Sequence, residues 1–157
     1  MWWCVVRQSK SKFYLVTKTC TRVLITSLVI GANAFALDKN GNFESKQEQD
    51  AFIASTLKKM AGEMNSQAPI KLDEDTRMMS VIALQKTITF NVRFPNVTSS
   101  QVDPKAIAAA ARENLNHTVC INNATRDLID MGVQYVYLYS GSDAKLITRV
   151  VIDKYRC

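Results

Sequence analysis

Cysteine and histidine are the residues of this sequence with the most distinctive chemistry, since they can form disulfides, bind metals or act in catalysis. Cys4 and Cys20 lie near the N-terminus, whereas Cys120 and Cys157 lie in the last third of the chain. The single histidine, His117, precedes Cys120 by three positions. Zinc sites use three or four protein ligands, so this spacing predicts no metal site. The two distal cysteines are instead candidates for a disulfide.

Three tyrosines form the second distinctive pattern. Tyr135, Tyr137 and Tyr139 alternate with Val136 and Leu138, and alternation on a strand places the tyrosines on one face. They can be ordinary sheet residues, partly buried under a helix or against a neighbouring strand. They can also form a partly exposed aromatic face that receives a peptide or helix, since tyrosine is enriched at interfaces. We take them as the candidate partner-binding residues.

Residues suited to catalysis are few. His117 could act as a general base, and Asp73 to Asp75 form an acidic cluster that is more typical of a solvated loop. The sequence contains neither a glycine-rich phosphate loop nor a G-x-S-x-G nucleophile turn. We therefore expect a protein that is not an enzyme and that binds no cofactor.

The first 36 residues have the pattern of a secretory signal segment. Basic residues precede the apolar run VLITSLVIGANAFA, which ends in an Ala-Phe-Ala cleavage motif at Ala36. The run is shorter than the roughly 20 residues that span a bilayer. We expect the signal segment to be cleaved after about Ala36 and the remaining protein to be exported to the periplasm without stable membrane insertion. The alternative is that the segment stays uncleaved as a membrane anchor. In that oxidising compartment Cys120 and Cys157 are expected to form a disulfide.

Removal of this segment changes the charge of the protein. The whole chain carries 20 basic and 14 acidic residues, a net charge of +6. The signal segment holds five basic residues and no acidic ones, so residues 37–157 carry a net charge of only +1. A nucleic-acid-binding protein normally shows a strong basic patch. We therefore expect no nucleic-acid partner.

The remaining chain, residues 37–157, is predicted to be a single α+β domain. Its order is α-β-β-α-α-β-β, which predicts a four- or five-stranded antiparallel sheet with helices packed on one face and one disulfide. The first half is predicted to contain a helix over 46–65 capped by Ser45 and Glu48, an extended piece at 70–72 and a hairpin over 78–96 that turns at 85–86. Two helices should follow, one over 104–119 started by Asp103-Pro104 and one over 124–131 capped by Asn123 and ended by Gly132. The last two strands are predicted over 133–139 and 145–153.

The stretch from Cys120 to Cys157 resembles the C-terminal half of a group of small exported bacterial proteins. This group includes the disulfide-containing S-protein pilotins of type II secretion systems. The matching positions are Cys120, Asn123, Thr125, Arg126, Leu128, Asp130, Gly132, Tyr135 and Cys157. The stretch DEDTRMMSVIALQKTITFNVRF also resembles the first hairpin of other members.

This resemblance implies an α/β domain closed by a bond between Cys120 and Cys157. For pilotins it also implies binding of the C-terminal helix of an outer-membrane secretin subunit. We therefore expect a non-enzymatic periplasmic protein that binds a helix or peptide of an envelope or secretion-system protein. An inhibitor or immunity-type protein and a small periplasmic enzyme are the alternatives. A binding protein should expose an apolar groove, whereas an enzyme should show a cleft with clustered polar groups.

Overall fold

A computed structural model of the chain describes residues 43–157. The predicted signal segment, with its cleavage point after about Ala36 and with Cys4 and Cys20, lies outside the described residues. The elements are α1 (Lys46–Asn65), β1 (Ile70–Lys71), β2 (Arg77–Leu84), β3 (Thr87–Arg93), α2 (Pro104–Leu115), α3 (Asn123–Asp130), β4 (Gln134–Ser140) and β5 (Leu146–Ile152). A 3-10 turn, Ser99–Gln101, precedes α2, and a π-helical turn, Asn116–Cys120, joins α2 to α3.

The first helix begins where the sequence predicts, with one difference in its cap. The Ser45 hydroxyl accepts a hydrogen bond from the Glu48 amide at 3.1 Å. The Glu48 carboxylate accepts one from the Glu44 amide at 3.2 Å, and not from the Ser45 amide as in a standard capping box. The first bond satisfies an amide that the helix leaves unpaired at its start, and the second ties the residue before the cap to the first turn.

Side chains also cap the other two helices. The Asp103 carboxylate accepts a hydrogen bond from the Lys105 amide at 2.9 Å and starts α2. The predicted cap of α3, Asn123, is wrong by one position. Asn122 has the extended backbone of a cap residue, and its side chain accepts from the Ala124 amide at 3.0 Å. Asn123 is already the first helical residue.

Gly132 ends α3 in a left-handed conformation, as predicted, with φ of +93°. Its amide donates to the Ile129 carbonyl at 2.9 Å, and the Val133 amide donates to the Leu128 carbonyl at 2.9 Å. This pair of bonds is a Schellman motif, which satisfies the last carbonyls of a helix. Val133 is fully buried, so the motif leads the chain directly from α3 into the core.

The predicted second helix, residues 104–119, changes its winding before it ends. It is α-helical to Leu115 and continues as the π-helical turn. Leu115 and Val119 are both buried, so the apolar face persists through the change. The Val119 carbonyl accepts a hydrogen bond from the Thr125 hydroxyl. This bond from α3 satisfies a carbonyl group at the end of the turn.

The five strands form one sheet in the order β1-β2-β3-β4-β5. Every pairing is antiparallel except β3 with β4, which is parallel. The expectation of a wholly antiparallel sheet is therefore wrong at this one pairing. Parallel neighbours need a long crossover connection, and α2 with α3 provides it. We call the parallel pairing the seam between the two halves of the sheet.

The two faces of the sheet differ in character. One face, here called the helix face, packs against the helices, with α1 mainly over β2 and α2 over β5. Its buried strand residues are Met78, Val81, Ile88, Phe90, Val92, Tyr135, Val150 and Ile152. None of the described helices packs on the opposite face, here called the open face. The prediction of helices on one side of the sheet is confirmed.

One side chain of α1 covers part of the edge of β2. Strand β1 pairs only with Arg77 and Met78 of β2. Beyond them, the Val81 amide donates to Asn65 Oδ1 at 2.8 Å, and Asn65 Nδ2 donates to the Val81 carbonyl at 2.7 Å. The amide group of Asn65 thus replaces one residue of a neighbouring strand. An uncovered strand edge would present unpaired backbone groups to another chain.

The predicted disulfide between Cys120 and Cys157 is present, with a Cα–Cα distance of 5.4 Å. Asp153, which is buried, organises the turn that leads to Cys157. Its carbonyl accepts hydrogen bonds from the Arg156 and Cys157 amides at 2.9 and 3.0 Å, and its carboxylate pairs with the Arg156 guanidinium. The turn therefore places Cys157 beside the end of the π-helical turn.

Candidate partner-binding groove

The three predicted tyrosines lie on the helix face, next to the seam. Across the β3–β4 pairing, Tyr135 lies beside Ile88, Tyr137 beside Phe90 and Tyr139 beside Val92. Because the β3 residues are core residues, the tyrosines extend the core across the seam. The alternation in the sequence therefore identifies the face correctly.

Aromatic rings make the closest contacts across the seam. The Phe90 ring stacks on Tyr137 with centroids 4.8 Å apart, and it lies 6.4 Å from Tyr135. Phe94, just after β3, stacks on Tyr139 at 6.0 Å. Such stacked pairs add to the energy of apolar burial. Of these rings, Phe94, Tyr137 and Tyr139 line the site itself.

The tyrosines differ in their depth. Tyr135 is 2% exposed and its hydroxyl has no hydrogen-bond partner in the described part of the chain. Burial raises the pKa of Tyr135 above its ordinary value. Tyr137 and Tyr139 are only half-buried. The structure therefore places Tyr135 in the core, out of reach of a partner, and leaves two of the three predicted residues accessible.

Tyr137 and Tyr139 line a groove of about 450 Å³ between α2, the sheet and the β1–β2 loop. The remaining lining residues are Leu72, Asp73, Thr76, Val92, Phe94, Ile107, Ala110, Ala111, Asn114, Leu115 and Thr118. Most of them are apolar, and the polar ones come from the β1–β2 loop (Asp73 and Thr76) and from α2 and the turn that follows it (Asn114 and Thr118). Preformed pockets of this size are typical of binding sites.

The groove exists because α2 presents small side chains towards it. Ala110 and Ala111 line the wall where a larger residue would fill the space above Tyr137 and Tyr139. Ile107, one turn earlier, is half-buried and provides a branched apolar contact at the same wall. The alanine run of α2 is the signal in the sequence that could have indicated this site.

Asp73 gives one end of the groove a negative charge. Its carboxylate accepts hydrogen bonds from the Thr76 hydroxyl at 2.7 Å and from the Asp75 and Thr76 amides at 2.8 and 2.7 Å. These bonds, the Thr76 hydroxyl first, lower the pKa of Asp73. The pKa of Tyr139 is raised by burial and, to a smaller extent, by the charge of Asp73. The carboxylate therefore acts near the groove as a fixed anion.

Other residues considered for catalysis are not brought together. His117 lies exposed on the π-helical turn, beside a shallow depression of about 170 Å³ at the disulfide. The Asp73 carboxylate is hydrogen-bonded within its own loop, and Glu74 and Asp75 are exposed. Within residues 43–157, no three His, Cys, Asp or Glu side chains are grouped closely enough to hold a metal ion.

Sequence comparison and structure comparison give different results. No protein-family model matches the sequence, and no curated protein matches it. The structure of the pilotin EpsS from the Vibrio vulnificus type 2 secretion system matches with a TM-score of 0.58. It is 14% identical in sequence, and the match covers 71% of this chain and 96% of EpsS.

Two further structures match over a similar length. The type II secretion system pilotin AspS from Vibrio cholerae matches with a TM-score of 0.56 at 14% identity, over 71% of this chain and 97% of AspS. A provisionally assigned secreted protein of Pseudomonas aeruginosa matches with a TM-score of 0.56 at 18% identity, over 69% of this chain and 96% of that one.

The fold is pilotin-like. The resemblance stated from the sequence is thus confirmed at the level of fold, with its disulfide. In the part of the chain that the structure describes, no helix combines the length and apolar character that crossing a membrane requires.

Proposed function

We propose that this protein is an exported, non-enzymatic binding protein that receives an amphipathic helix or peptide of an envelope or secretion-system protein in the groove. The groove beside Tyr137 and Tyr139 is the observation that carries this proposal. An enzyme would need several polar groups directed at one point, whereas this groove has an aromatic floor and an alanine wall.

The groove suits an apolar side chain carried on a helix. Helix-in-groove recognition uses apolar anchors spaced along one helix face, and tyrosine is a residue on which binding energy concentrates. Asp73 near one end of the groove favours a partner with a basic residue beside its apolar anchors. The pilotin-like fold makes an outer-membrane secretin subunit the first candidate.

Two neighbouring alanines of α2 provide a matched test. Ala110 lines the groove, whereas Ala109 does not, and both are exposed. Arginine is a good helix former, so neither Ala110→Arg nor Ala109→Arg should unfold α2. The partner should be lost from Ala110→Arg and retained by Ala109→Arg. Equal binding by the two variants would exclude the groove as the binding site.

The partner can be identified by affinity purification. The tagged full chain would be expressed in its own host with the disulfide intact, and proteins would be recovered from the periplasm and the outer membrane. Recovery of a secretin or another envelope subunit, lost in Ala110→Arg, would support the proposal. If the folded protein recovered no such subunit, an inhibitor of an external protein or a small enzyme would become the better interpretation.

We also propose that residues 1–36 are removed on export and that residues 37–157 form the mature periplasmic protein. The apolar run and the Ala-Phe-Ala motif at Ala36 support this proposal. The intact mass of the protein released from the periplasm should correspond to a chain that begins at Leu37. A full-length mass in the membrane fraction would indicate the uncleaved anchor instead.

A further inference from the structure

The open face of the sheet carries positive charge that no carboxylate on the strands offsets. Within residues 43–157, no strand contains an Asp or a Glu. The strands contain four basic residues, Lys71, Arg77, Arg93 and Arg149. Strand pairing and alternation place all four side chains on the open face. This face lies opposite to the groove, so its role is separate from the proposed function.

Two of these residues, Arg77 and Arg93, lie directly opposite each other on β2 and β3. Like charges in directly opposite positions destabilise a sheet. Each of the two arginines lacks an ion pair or side-chain hydrogen bond to any described residue. Arg93 Nε also has almost no solvent-accessible surface and no partner. A buried donor without an acceptor is unfavourable.

Arg93 also lines a cavity of about 300 Å³ on the open face. Three neutral polar residues, Ser80, Asn91 and Ser140, line the cavity with Arg93. The other lining residues are apolar, Met79, Leu138, Ala144 and Leu146. The cavity therefore combines a cation without a counterion, neutral polar groups and apolar side chains.

The neutral groups have hydrogens to donate. Asn91 Nδ2 donates one hydrogen to Ser80 Oγ at 2.8 Å, which leaves its second N–H and the Ser80 hydroxyl hydrogen without an acceptor among the described residues. The Ser140 hydroxyl is already used, since it donates to the Val92 carbonyl at 3.2 Å. Uncommitted donors beside an uncompensated guanidinium match an oxyanion better than a neutral ligand.

We propose that this cavity binds a phosphate group, held by Arg93 with donors from Ser80 and Asn91. A phosphate carries more charge than a carboxylate, which suits a site with Arg77 directly across from Arg93. Its oxygens accept the paired hydrogen bonds of a guanidinium. The apolar lining residues accommodate the carbon chain of a phosphate ester. The phosphate comes either from a small molecule or from a lipid headgroup.

The Arg93 side chain can report on binding directly. The full chain, labelled with ¹⁵N and with its disulfide intact, would be titrated with inorganic phosphate at constant ionic strength, and the Nε–H resonance of Arg93 would be followed by NMR. We expect a saturable shift of this resonance together with the amide signals of Ser80 and Asn91. The absence of a saturable shift, or an equal shift with sodium chloride, would contradict binding of free phosphate.

Arg149 provides a matched control on the same face. It lies two strands across and two residues along from Arg93, which is about 12 Å and slightly more than the Debye length of about 10 Å in 0.1 M salt. We expect Arg93→Gln to weaken phosphate binding at least about tenfold, and Arg149→Gln to change it by less than about threefold. Equal weakening in both variants would show a diffuse charge effect and no site. If Arg93→Gln fails to fold, Arg77→Gln should still weaken binding.

Vesicles separate the two sources of the phosphate. The same protein would be sedimented with vesicles of phosphatidylcholine alone and with vesicles that contain phosphatidylglycerol. Arg93-dependent binding only to the phosphatidylglycerol vesicles assigns the site to a lipid headgroup. A saturable response to inorganic phosphate without vesicle binding assigns it to a small molecule. If neither probe binds in an Arg93-dependent way, the proposal is wrong.

Discussion

The contact between Asn65 and Val81 allows a quantitative test of how α1 stabilises the sheet. Asn65→Ala removes two hydrogen bonds, of 2.7 and 2.8 Å, to the backbone of a residue that is 2% exposed. A typical hydrogen bond contributes about 0.5–1.5 kcal/mol net, and a buried group left unpaired costs about 1–3 kcal/mol. Asn65 is the last residue of α1, so helix propensity changes little. We expect a loss of about 2 kcal/mol.

Urea unfolding and thermal unfolding would measure this loss. For a domain of this size, about 2 kcal/mol corresponds to a decrease in Tm of about 6–10 °C. The matched control is Asn123→Ala, because Asn123 is exposed and its side chain makes no hydrogen bond to a described residue. Its effect should be within about 0.5 kcal/mol.

Asn65→Asp separates the two bonds. The carboxylate keeps an acceptor for the Val81 amide but places a negative oxygen against the Val81 carbonyl. At neutral pH this variant should be at least as unstable as Asn65→Ala, and it should recover as acid protonates the carboxyl group and restores a donor. If Asn65→Ala unfolds like the wild type, water satisfies the backbone groups of Val81 at the strand edge, and Asn65 does not stabilise the sheet.

Three further predictions concern the disulfide, the groove floor and the glycines. Replacing Cys120 and Cys157 by serine should lower the free energy of unfolding by about 4 kcal/mol in urea, as chain entropy predicts for their separation of 37 residues. Burial raises the pKa of Tyr137 in the folded state, so the free energy of unfolding should fall as the pH rises above about 10. The expected loss is up to about 1.4 kcal/mol per pH unit, and Tyr137→Phe should reduce this slope. Gly132→Ala should lower the free energy of unfolding by about 1–2 kcal/mol because position 132 has a positive φ. Gly62→Ala should raise it by about 1 kcal/mol, because Gly62 lies within α1 with open space around it.

Each of these predictions has a result that would contradict it. A serine double variant as stable as the oxidised protein would show that the ring does not restrict the unfolded chain. An unchanged alkaline slope in Tyr137→Phe would show that Tyr137 ionises equally easily in the folded and unfolded states. Equal effects of the two glycine variants would show that positive φ at Gly132 is not the cause.

The starts of α1 and α2 could be predicted because local side chains determine them. Ser45 starts α1 through a bond three residues away, and Asp103 starts α2 through a bond two residues away. The predicted 46–65 helix agrees with the observed Lys46–Asn65. The cap of α3 was misplaced because Asn122 and Asn123 are adjacent and chemically identical, and only the backbone conformation distinguishes them.

The parallel pairing and the groove could not be predicted from local patterns. Alternation shows which face each tyrosine occupies but not its depth, so Tyr135 could not be distinguished from Tyr137 and Tyr139. The pairing of β3 with β4 depends on the path of the crossover, which joins residues far apart in sequence. The groove depends on the distance between α2 and the sheet, which the alanine run allows but does not fix.

The seam between β3 and β4 also has a consequence for when the protein can recognise anything. Each half of the sheet can form from neighbouring strands, but Phe90 and Tyr137 meet only when the two halves join. Contacts between such distant parts of a chain are slow to form. The floor of the groove is therefore complete only when the two halves have joined, so a chain in which they are apart has no complete site to offer. A bound partner would contact residues from both halves and hold them together. Occupancy of the groove would thus favour the chain in which the two halves are joined, so a bound partner should stabilise the whole sheet and not only the residues that it contacts.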